Sequence, residues 1–259
     1  MSAIEVQDVG LSYFTLKQET EALRNVRMAI EPGEFISIVG PSGCGKSTLL
    51  YLLSGMLKPT TGRVLIDGVE TAGVSPKVGY MLQRDHLFEW RDVLSNLLVG
   101  AEIRRMNREE ATRRARELLD RYGLSGFAGH SPDQLSGGMR QRVALIRTLV
   151  TDPDILLLDE PFSALDYQSR LTLAEDVFHI IKDQGKTAVL VTHDISEAIS
   201  MADRVLVMSK RPSSIVSEYP IRFEEGDNLS PWNKREAGKY NDYFNSIWKD
   251  MGGYAVTSR

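Results

Sequence analysis

The chain of 259 residues has a single cysteine and lacks any long apolar run. One cysteine cannot form a disulfide within the chain, so a fold held by internal disulfides is excluded. The N-terminus, MSAIEVQDVG, lacks the basic start and apolar stretch of a secretory signal. Its apolar runs fall far short of the roughly 20 residues that cross a bilayer. These absences predict a cytoplasmic chain that depends on another chain for any role in a membrane.

A basic excess is also lacking. The sequence has 31 lysine and arginine residues against 35 aspartate and glutamate residues, which gives a formal net charge of -4. Proteins that bind nucleic acid usually carry a basic surface, so nucleic acid is not an expected partner. Apolar residues make up 42% of the chain, enough for a sizeable core, which excludes the disordered and collagen-like classes.

The order of the apolar segments predicts an α/β fold. Segments at Ile4–Val9, Val26–Ile30 and Glu34–Val39 have the alternation or the β-branched residues of strands. A glycine-rich loop then leads into an apolar helix, and the strand patterns ILLLDE and TAVLVTH are separated by a predicted helix at 167–182. Strands that alternate with helices indicate a parallel sheet with crossover helices.

The stretch from about Trp90 to Gly138 predicts a separate helical lobe. Asn107 and Glu110 have the spacing of a capping box at a helix N-terminus. The strongly charged segment ATRRARELLDRYG follows, and Gly123 marks its end.

The segment GPSGCGKST has the spacing of a phosphate-binding loop between a strand and a helix. Its glycines let backbone N–H groups turn around phosphate oxygens, and the helix N-terminus adds positive potential. Lys46 is expected to reach the β- and γ-phosphates, and Ser47 to bind Mg²⁺. Such a loop predicts phosphate binding and leaves the reaction open. The predicted phosphate-binding residues are Gly40, Pro41, Ser42, Gly43, Cys44, Gly45, Lys46, Ser47 and Thr48.

Cys44, the only cysteine, lies inside this loop. We therefore expect a maleimide adduct at Cys44 to obstruct the phosphates, and prior binding of MgATP to protect the thiol. The alternative is a small residue that the loop merely tolerates.

Two carboxylates, Asp159 and Glu160, end the apolar segment that begins at Ile155. The carboxyl edge of a parallel sheet is where α/β folds bind their ligands. Asp159 is expected to hold Mg²⁺, and Glu160 to polarise the attacking water as a general base. Taken alone, the segment could also be a solvated strand end, but its place after a phosphate loop favours the functional interpretation.

The octapeptide LSGGMRQR at Leu135–Arg142 has no use in an ordinary phosphate-loop enzyme such as a small-molecule kinase. Its Ser-Gly-Gly segment opens a helix and offers a hydroxyl, N–H groups and a helix dipole to an anion. The octapeptide resembles the signature of the ATP-binding cassette family. Further motifs of that family appear in the expected order: Tyr13 as the aromatic that stacks on adenine, with Phe14 as the alternative, Gln83 of the Q-loop, Ser163–Asp166 as the D-loop and His193 as the switch histidine.

The resemblance covers about the first 220 residues and implies a P-loop NTPase (RecA-like) core with an N-terminal antiparallel β subdomain and a helical signature subdomain. It implies ATP and Mg²⁺ as cofactors and a homodimer of cassettes in the presence of ATP. In such a dimer, Ser136, Gly137 and Gly138 act on the ATP held by the partner. The resemblance also implies catalytic roles for Glu160, His193, Gln83 and Lys46, metal binding by Ser47, Gln83 and Asp159, and a nucleotide-site role for Asp166.

The same resemblance predicts how the chain is organised. We expect residues 1–227 to form the ATPase domain, with the helical subdomain at about 90–138. Residues 228–259 are expected to form an amphipathic helical tail, because KYNDYFNSIWKDM places apolar and charged residues on opposite helix faces.

The family resemblance further implies membrane permease subunits, an extracytoplasmic solute-binding protein and a place at the cytoplasmic face of the membrane. The segments LSGGMRQRV, LFEWRDVLSN and RPSSIVSEYPI are similar to the nitrate, sulfonate and taurine import subfamily, which predicts uptake of a small anion. Phe88 and Glu89 depart from the usual LLPWRTVLEN pattern of that subfamily. Import of a thiamine or pyrimidine precursor or of bicarbonate is one alternative. The alternative from a different class is a non-transport cassette protein that acts on DNA or ribosomes.

Overall fold

The computed structural model describes residues 1–15, 18–163, 165–224, 226 and 229–252. The strands in these residues are β1 (Ile4–Phe14), β2 (Glu19–Ile30), β3 (Phe35–Val39), β4 (Thr61–Ile66), β5 (Val69–Glu70), β6 (Val78–Met81), β7 (Ile155–Asp159), β8 (Thr187–Val191), β9 (Arg204–Met208) and β10 (Ile215–Pro220). The α-helices are α1 (Lys46–Leu53), α2 (Val93–Ile103), α3 (Arg108–Arg121), α4 (Gly137–Val150), α5 (Tyr167–Asp183), α6 (Ile195–Met201), α7 (Pro231–Glu236) and α8 (Tyr240–Asp250).

The larger sheet has the strand order β10-β9-β3-β8-β7-β6. Its strands run parallel except β10, which pairs with β9 in the antiparallel direction. Every residue of β3, β7 and β8 is buried, as expected for parallel strands that are covered on both faces. Because the carboxyl ends of these strands meet at one edge, the loops that follow them lie side by side.

The smaller sheet has the order β2-β1-β4-β5, and its paired strands are antiparallel. Its inner face packs on α1 and on the parallel sheet, in a buried cluster that includes Ile4, Val26, Leu49 and Ile38. The predicted N-terminal antiparallel sheet is therefore present, and its packing fixes the position of the loop that precedes α1.

Helices α2, α3 and α4 pack against one another through a second buried cluster. The Asn107 side chain caps α3 by accepting from the N–H groups of Glu109 and Glu110. Helix α4 is continuous from Gly137 to Val150, so it extends beyond the predicted lobe limit at residue 138 and also contacts β6. The division into an ATPase domain, a helical subdomain and a tail stays a prediction.

The described part of the tail packs on the body of the protein. Helix α7 contacts α5 and α6, and α8 contacts α6 and β10. Ile247 of α8 is completely buried, and the Tyr219 hydroxyl of β10 donates to Asp250 Oδ2 at 2.5 Å. The predicted boundary at residues 227 and 228 and the predicted tail residues 253–259 lie outside the described residues.

The described helices include none that is long and apolar enough to cross a bilayer.

Candidate active site

The predicted phosphate loop connects the carboxyl end of β3 to α1. Lys46 is nearly buried, and its Nζ donates to the carbonyls of Gly40 at 2.9 Å and Pro41 at 3.3 Å. A side chain on Gly40 would come within 2.9 Å of the Met208 carbonyl oxygen, and Gly45 has a φ of +120°. The backbone at Gly40 and Gly45 therefore requires glycine. The loop carbonyls surround the Lys46 ammonium.

The predicted metal ligands Ser47 and Asp159 lie together. Ser47 Oγ donates to Asp159 Oδ1 at 3.1 Å, and the Tyr80 hydroxyl donates to Asp159 Oδ2 at 3.1 Å. Burial raises the pKa of Asp159, and the hydrogen bonds from Ser47 and Tyr80 oppose that rise. Burial and the neighbouring Asp159 charge raise the pKa of Tyr80, which keeps its hydroxyl protonated and donating. A hydroxyl beside a carboxylate fits the oxygen ligands that Mg²⁺ prefers.

Three residues from different parts of the sequence converge at the end of β7. Gln83 Nε2 donates to Glu160 Oε2 at 3.0 Å, and His193 Nδ1 lies 3.2 Å from the same oxygen. The Glu160 N–H donates to the Val191 carbonyl at 2.8 Å. Glu160 also has a φ of +45°, a left-handed conformation that is uncommon outside glycine. This turn carries the Glu160 carboxylate off the strand to the position between Gln83 and His193.

The two candidate aromatics differ in their contacts. The Tyr13 hydroxyl lies 3.2 Å from Thr48 Oγ1, at the end of the phosphate loop. Phe14 is 69% exposed, whereas Tyr13 is 42% exposed. The contact with the loop favours Tyr13 as the aromatic that faces a nucleotide base.

The signature forms the N-terminus of α4. Ser136 Oγ accepts from the Met139 N–H at 3.3 Å, and a Cβ added to Gly137 would meet no atom within 4 Å. A Cβ on Gly138 would be in ordinary contact with Leu165, at 3.6 Å. The signature glycines therefore leave an open helix N-terminus, which is suited to an anion that approaches from outside.

The D-loop precedes α5. Asp166 caps α5 by accepting from the Ser169 N–H at 3.0 Å, and its hydrogen bonds with Ser169 hold its pKa below the ordinary value. Ser163 Oγ donates to the Glu160 carbonyl at 3.0 Å, which joins the D-loop to the residue that follows β7. Ala164 of the D-loop lies outside the described residues.

Some residues of the site were not predicted from the sequence. Besides Tyr80, these include Arg140 and Arg147 of α4, which bind the segment that follows Gln83. Arg140 Nε donates to Asp85 Oδ2 at 3.1 Å, and Arg147 donates to the carbonyls of Asp85 at 2.6 Å and His86 at 2.8 Å. The spacing RxxxxxxR, which starts inside the signature and continues along the helix that the signature opens, is the sequence signal for them. The two arginines attach the Q-loop segment to the signature helix.

Cys44 is enclosed in the folded protein, and the expected inhibition by a maleimide adduct stays a prediction. The Cys44 side chain is 2% exposed and belongs to the cluster between α1 and the two sheets. Its sulfur also lies 3.1 Å from the position that a Cβ on Gly40 would occupy. Cys44 is thus a packing residue of the loop, and its thiol faces the core.

We expect maleimide to label Cys44 slowly in the native protein and fully in denaturant, because the reagent reaches the thiol only when the loop opens. Mass spectrometry over time, at several denaturant concentrations, measures both rates. The same rapid labelling of native and denatured protein would contradict the burial of Cys44.

The fold and the site define a nucleotide-hydrolysing protein of the phosphate-loop class. A phosphate loop, two carboxylates at the end of β7 and a polar cluster around Glu160 lie along one edge of the parallel sheet. The chain belongs to the ABC transporter family, whose model matches residues 23–163. It is an ATP-binding ATPase of that family, and the fold and family predicted from the sequence are confirmed.

Several relatives are similar over most of the chain. An uncharacterized ABC transporter ATP-binding protein, YtlC of Bacillus subtilis, is 45% identical over 259 residues, which cover 100% of this chain and 99% of YtlC. The taurine import ATP-binding protein TauB of Pseudomonas aeruginosa is 41% identical over 223 residues, 86% of this chain and 85% of TauB. The cassette MJ0796, solved as a dimer in a post-hydrolysis state bound to ADP and Pi, is 34% identical with a TM-score of 0.76. The match covers 85% of this chain and 99% of that cassette.

Proposed function

We propose that two copies of this chain form an ATP-hydrolysing dimer that powers the import of a small solute through membrane permease subunits. The observation that carries the catalytic part is the approach of Gln83 and His193 to one oxygen of Glu160, at 3.0 and 3.2 Å. Sequence separation alone gives no reason for these three side chains to meet. A hydrolysis site gives one, because a general base must be held in a fixed orientation beside the attacking water.

Each residue of the site has a distinct role in this proposal. The phosphate loop and Lys46 bind the β- and γ-phosphates, and Tyr13 stacks on the adenine. Glu160 accepts a proton from the attacking water, while Gln83 and His193 orient its carboxylate. His193 also faces solvent with 62% of its side chain exposed, so it is open to a further contact with the γ-phosphate.

Mg²⁺ fits the pair formed by Ser47 and Asp159. Both offer oxygen atoms, and the bond between them at 3.1 Å brings these atoms to one place beside the phosphate loop. Gln83 is the further ligand that we propose from the family motif. When bound, Mg²⁺ would neutralise charge on the phosphate oxygens. Tyr80 fixes the other carboxylate oxygen of Asp159.

The open N-terminus of α4 supports the dimer. Ser136, Gly137 and Gly138 are proposed to bind the γ-phosphate held by the partner, with the Asp166 segment at the same interface. The dimeric MJ0796 cassette with ADP and Pi is the comparison that favours this arrangement. Light scattering with and without ATP tests it: the ATP-dependent dimer is expected for the wild type and not for Lys46→Ala, and a wild type that stays monomeric with bound ATP would contradict it.

An aromatic pair, formed by the half-buried Phe88 and the exposed Trp90, supports docking to a permease. Trp90 is 79% exposed, and its ring centroid lies 4.9 Å from that of Phe88. The pair follows the Asp85–His86 segment that α4 holds, so a permease contact there is linked to Gln83 by a short stretch of chain. We therefore place the protein at the cytoplasmic face of the membrane, peripheral and bound through permease subunits. An extracytoplasmic binding protein completes the proposed system.

The solute is proposed to be a small anion, with an aliphatic sulfonate or taurine first and a thiamine-type pyrimidine precursor second. The TauB relatives, 40 to 42% identical over 80 to 86% of this chain's length where they align, support a transport role over an action on DNA or ribosomes. They also support the sulfonate class, although the cassette itself does not select the solute.

We expect the solute to stimulate ATP hydrolysis when the chain is reconstituted in lipid with its permease and binding protein. The ATPase rate is measured with sulfonates, taurine, nitrate, bicarbonate and pyrimidine precursors in turn. Stimulation by a sulfonate or taurine supports the first proposal, and stimulation by a pyrimidine alone supports the second. Stimulation solely by a sugar or an amino acid would contradict both.

A further inference from the structure

An arginine outside the predicted motifs contacts the phosphate loop. Arg211 lies in the turn between β9 and β10, and its Nε donates to the Gly43 carbonyl at 2.6 Å. A terminal nitrogen of the same guanidinium lies 3.5 Å from the position that a Cβ on Gly43 would occupy. The sequence separation of 168 residues means that this contact is made by the tertiary fold.

The turn that carries Arg211 is anchored to β2 by backbone hydrogen bonds. Ser213 is completely buried, its N–H donates to the Ala22 carbonyl at 3.0 Å, and its carbonyl accepts from the Arg24 N–H at 2.9 Å. Ser213 Oγ also donates to the Ser209 carbonyl at 2.8 Å. The backbone of the turn is therefore anchored to β2, and the Arg211 side chain extends from a fixed base although it is itself exposed.

The carbonyl that Arg211 binds belongs to Gly43, whose backbone has few steric restrictions of its own. Gly43 has a φ of +72°, and glycine populates the left-handed and right-handed regions with similar ease. The next N–H, that of Cys44, donates to the Pro41 carbonyl at 3.2 Å. Because the carbonyl and N–H of a trans peptide point in opposite directions, these two bonds fix the Gly43–Cys44 peptide from both sides.

The guanidinium also brings positive charge to the loop. A hydrogen bond from a charged donor is stronger than one between neutral groups, and the polarised peptide becomes a better donor on its N–H side. A cation at this place lowers the electrostatic cost of bringing a polyphosphate to the loop.

We propose that Arg211 is a positioning residue of the nucleotide site, which fixes the phosphate loop at Gly43 and thereby strengthens the binding of nucleoside di- and triphosphates. The inference rests on the proposed assignment of residues 40–48 as the phosphate loop. In the described structure Arg211 does not contact Glu160, Ser47 or Asp159. We therefore expect its replacement to change nucleotide affinity and not the rate of the hydrolytic step.

Replacement of Arg211 is expected to raise KM and Kd for MgATP while kcat changes by less than about twofold. For Arg211→Ala we expect both KM and Kd for MgATP to rise by roughly 3- to 10-fold. This is below the usual effect of losing a charged hydrogen bond, because the guanidinium is exposed. ADP affinity should fall by a similar factor, and Arg211→Lys should recover part of the loss because an ammonium also donates and keeps the charge. Lys210→Ala is the matched control, since it removes a positive charge from the same turn without a bond to Gly43.

The experiment combines fluorescence titration of ATP and ADP, steady-state ATPase kinetics and thermal unfolding of each variant. Wild-type affinity in Arg211→Ala, an equal loss in Lys210→Ala, or a fall in kcat at unchanged KM would each overturn the proposal. Should Arg211→Ala fail to fold, Arg211→Gln decides the question, because it keeps a donor without charge and is expected to show an intermediate loss. A wild-type chain that binds no ATP would instead overturn the assignment of the phosphate loop itself.

Discussion

Glu160→Gln is expected to lower ATP turnover by roughly 10²-fold or more while ATP binding persists. The amide keeps the shape of the side chain and one oxygen that accepts from Gln83, so the cluster at 3.0 Å can still form. It removes the basic oxygen that takes a proton from water. Because the nucleotide is bound and not cleaved, the variant should accumulate as an ATP-bound dimer.

Turnover is measured with the permease partners present, and dimer formation by light scattering with ATP. Glu218→Gln is a suitable control, since Glu218 forms an exposed ion pair with Arg204 on the β9–β10 hairpin. That variant should keep wild-type turnover. Near wild-type hydrolysis in Glu160→Gln would remove Glu160 from the mechanism.

Much of this site could be predicted because its chemistry is encoded in short contiguous motifs. The phosphate loop has to join a strand to a helix, and Asp159 with Glu160 has to end a buried strand, so local pattern and function coincide. Gln83 and His193 were predicted through the family resemblance, and both lie within 3.2 Å of Glu160.

The residues that escaped prediction act through long-range contacts. Tyr80 is one position in an ordinary strand, and its hydroxyl has a role because β6 pairs with β7 and places it beside Asp159. Arg211 is likewise a turn residue whose partner is 168 positions away. No local pattern specifies such a partner, since sequence periodicity reports which face is buried and not what lies across it.

The burial of Cys44 also depends on long-range packing. The motif places Cys44 in the loop, but packing of the antiparallel sheet on α1 decides that its sulfur faces the core. The predicted limit of the helical subdomain at about residue 138 stays a prediction, and α4 runs from Gly137 to Val150.

Gly137→Asp is expected to lower the ATPase rate of the assembled dimer by roughly 10²-fold or more. ATP binding by the isolated chain should be unchanged. The position is exposed, and a Cβ there would meet no atom within 4 Å, so the substitution fits the fold. A carboxylate in the first turn of a helix is favourable for the helix itself. The added carboxylate is therefore compatible with the helix, and its negative charge repels the phosphate that the α4 N-terminus is proposed to bind.

Gly137→Ala separates size from charge, and we expect it to keep most of the wild-type rate. Fluorescence titration measures ATP affinity of the isolated chain, thermal unfolding measures its stability, and ATPase assays measure the assembled complex. If Gly137→Asp weakened ATP binding by the isolated chain as much as Lys46→Ala does, the signature would belong to the site of its own chain. The proposed sharing of each site between two copies would then be wrong. Retained ATP affinity with lost ATP turnover is the result that requires a partner. In that case the phosphate loop of the chain still binds ATP, and the altered surface is the N-terminus of α4, which serves the site of the other copy.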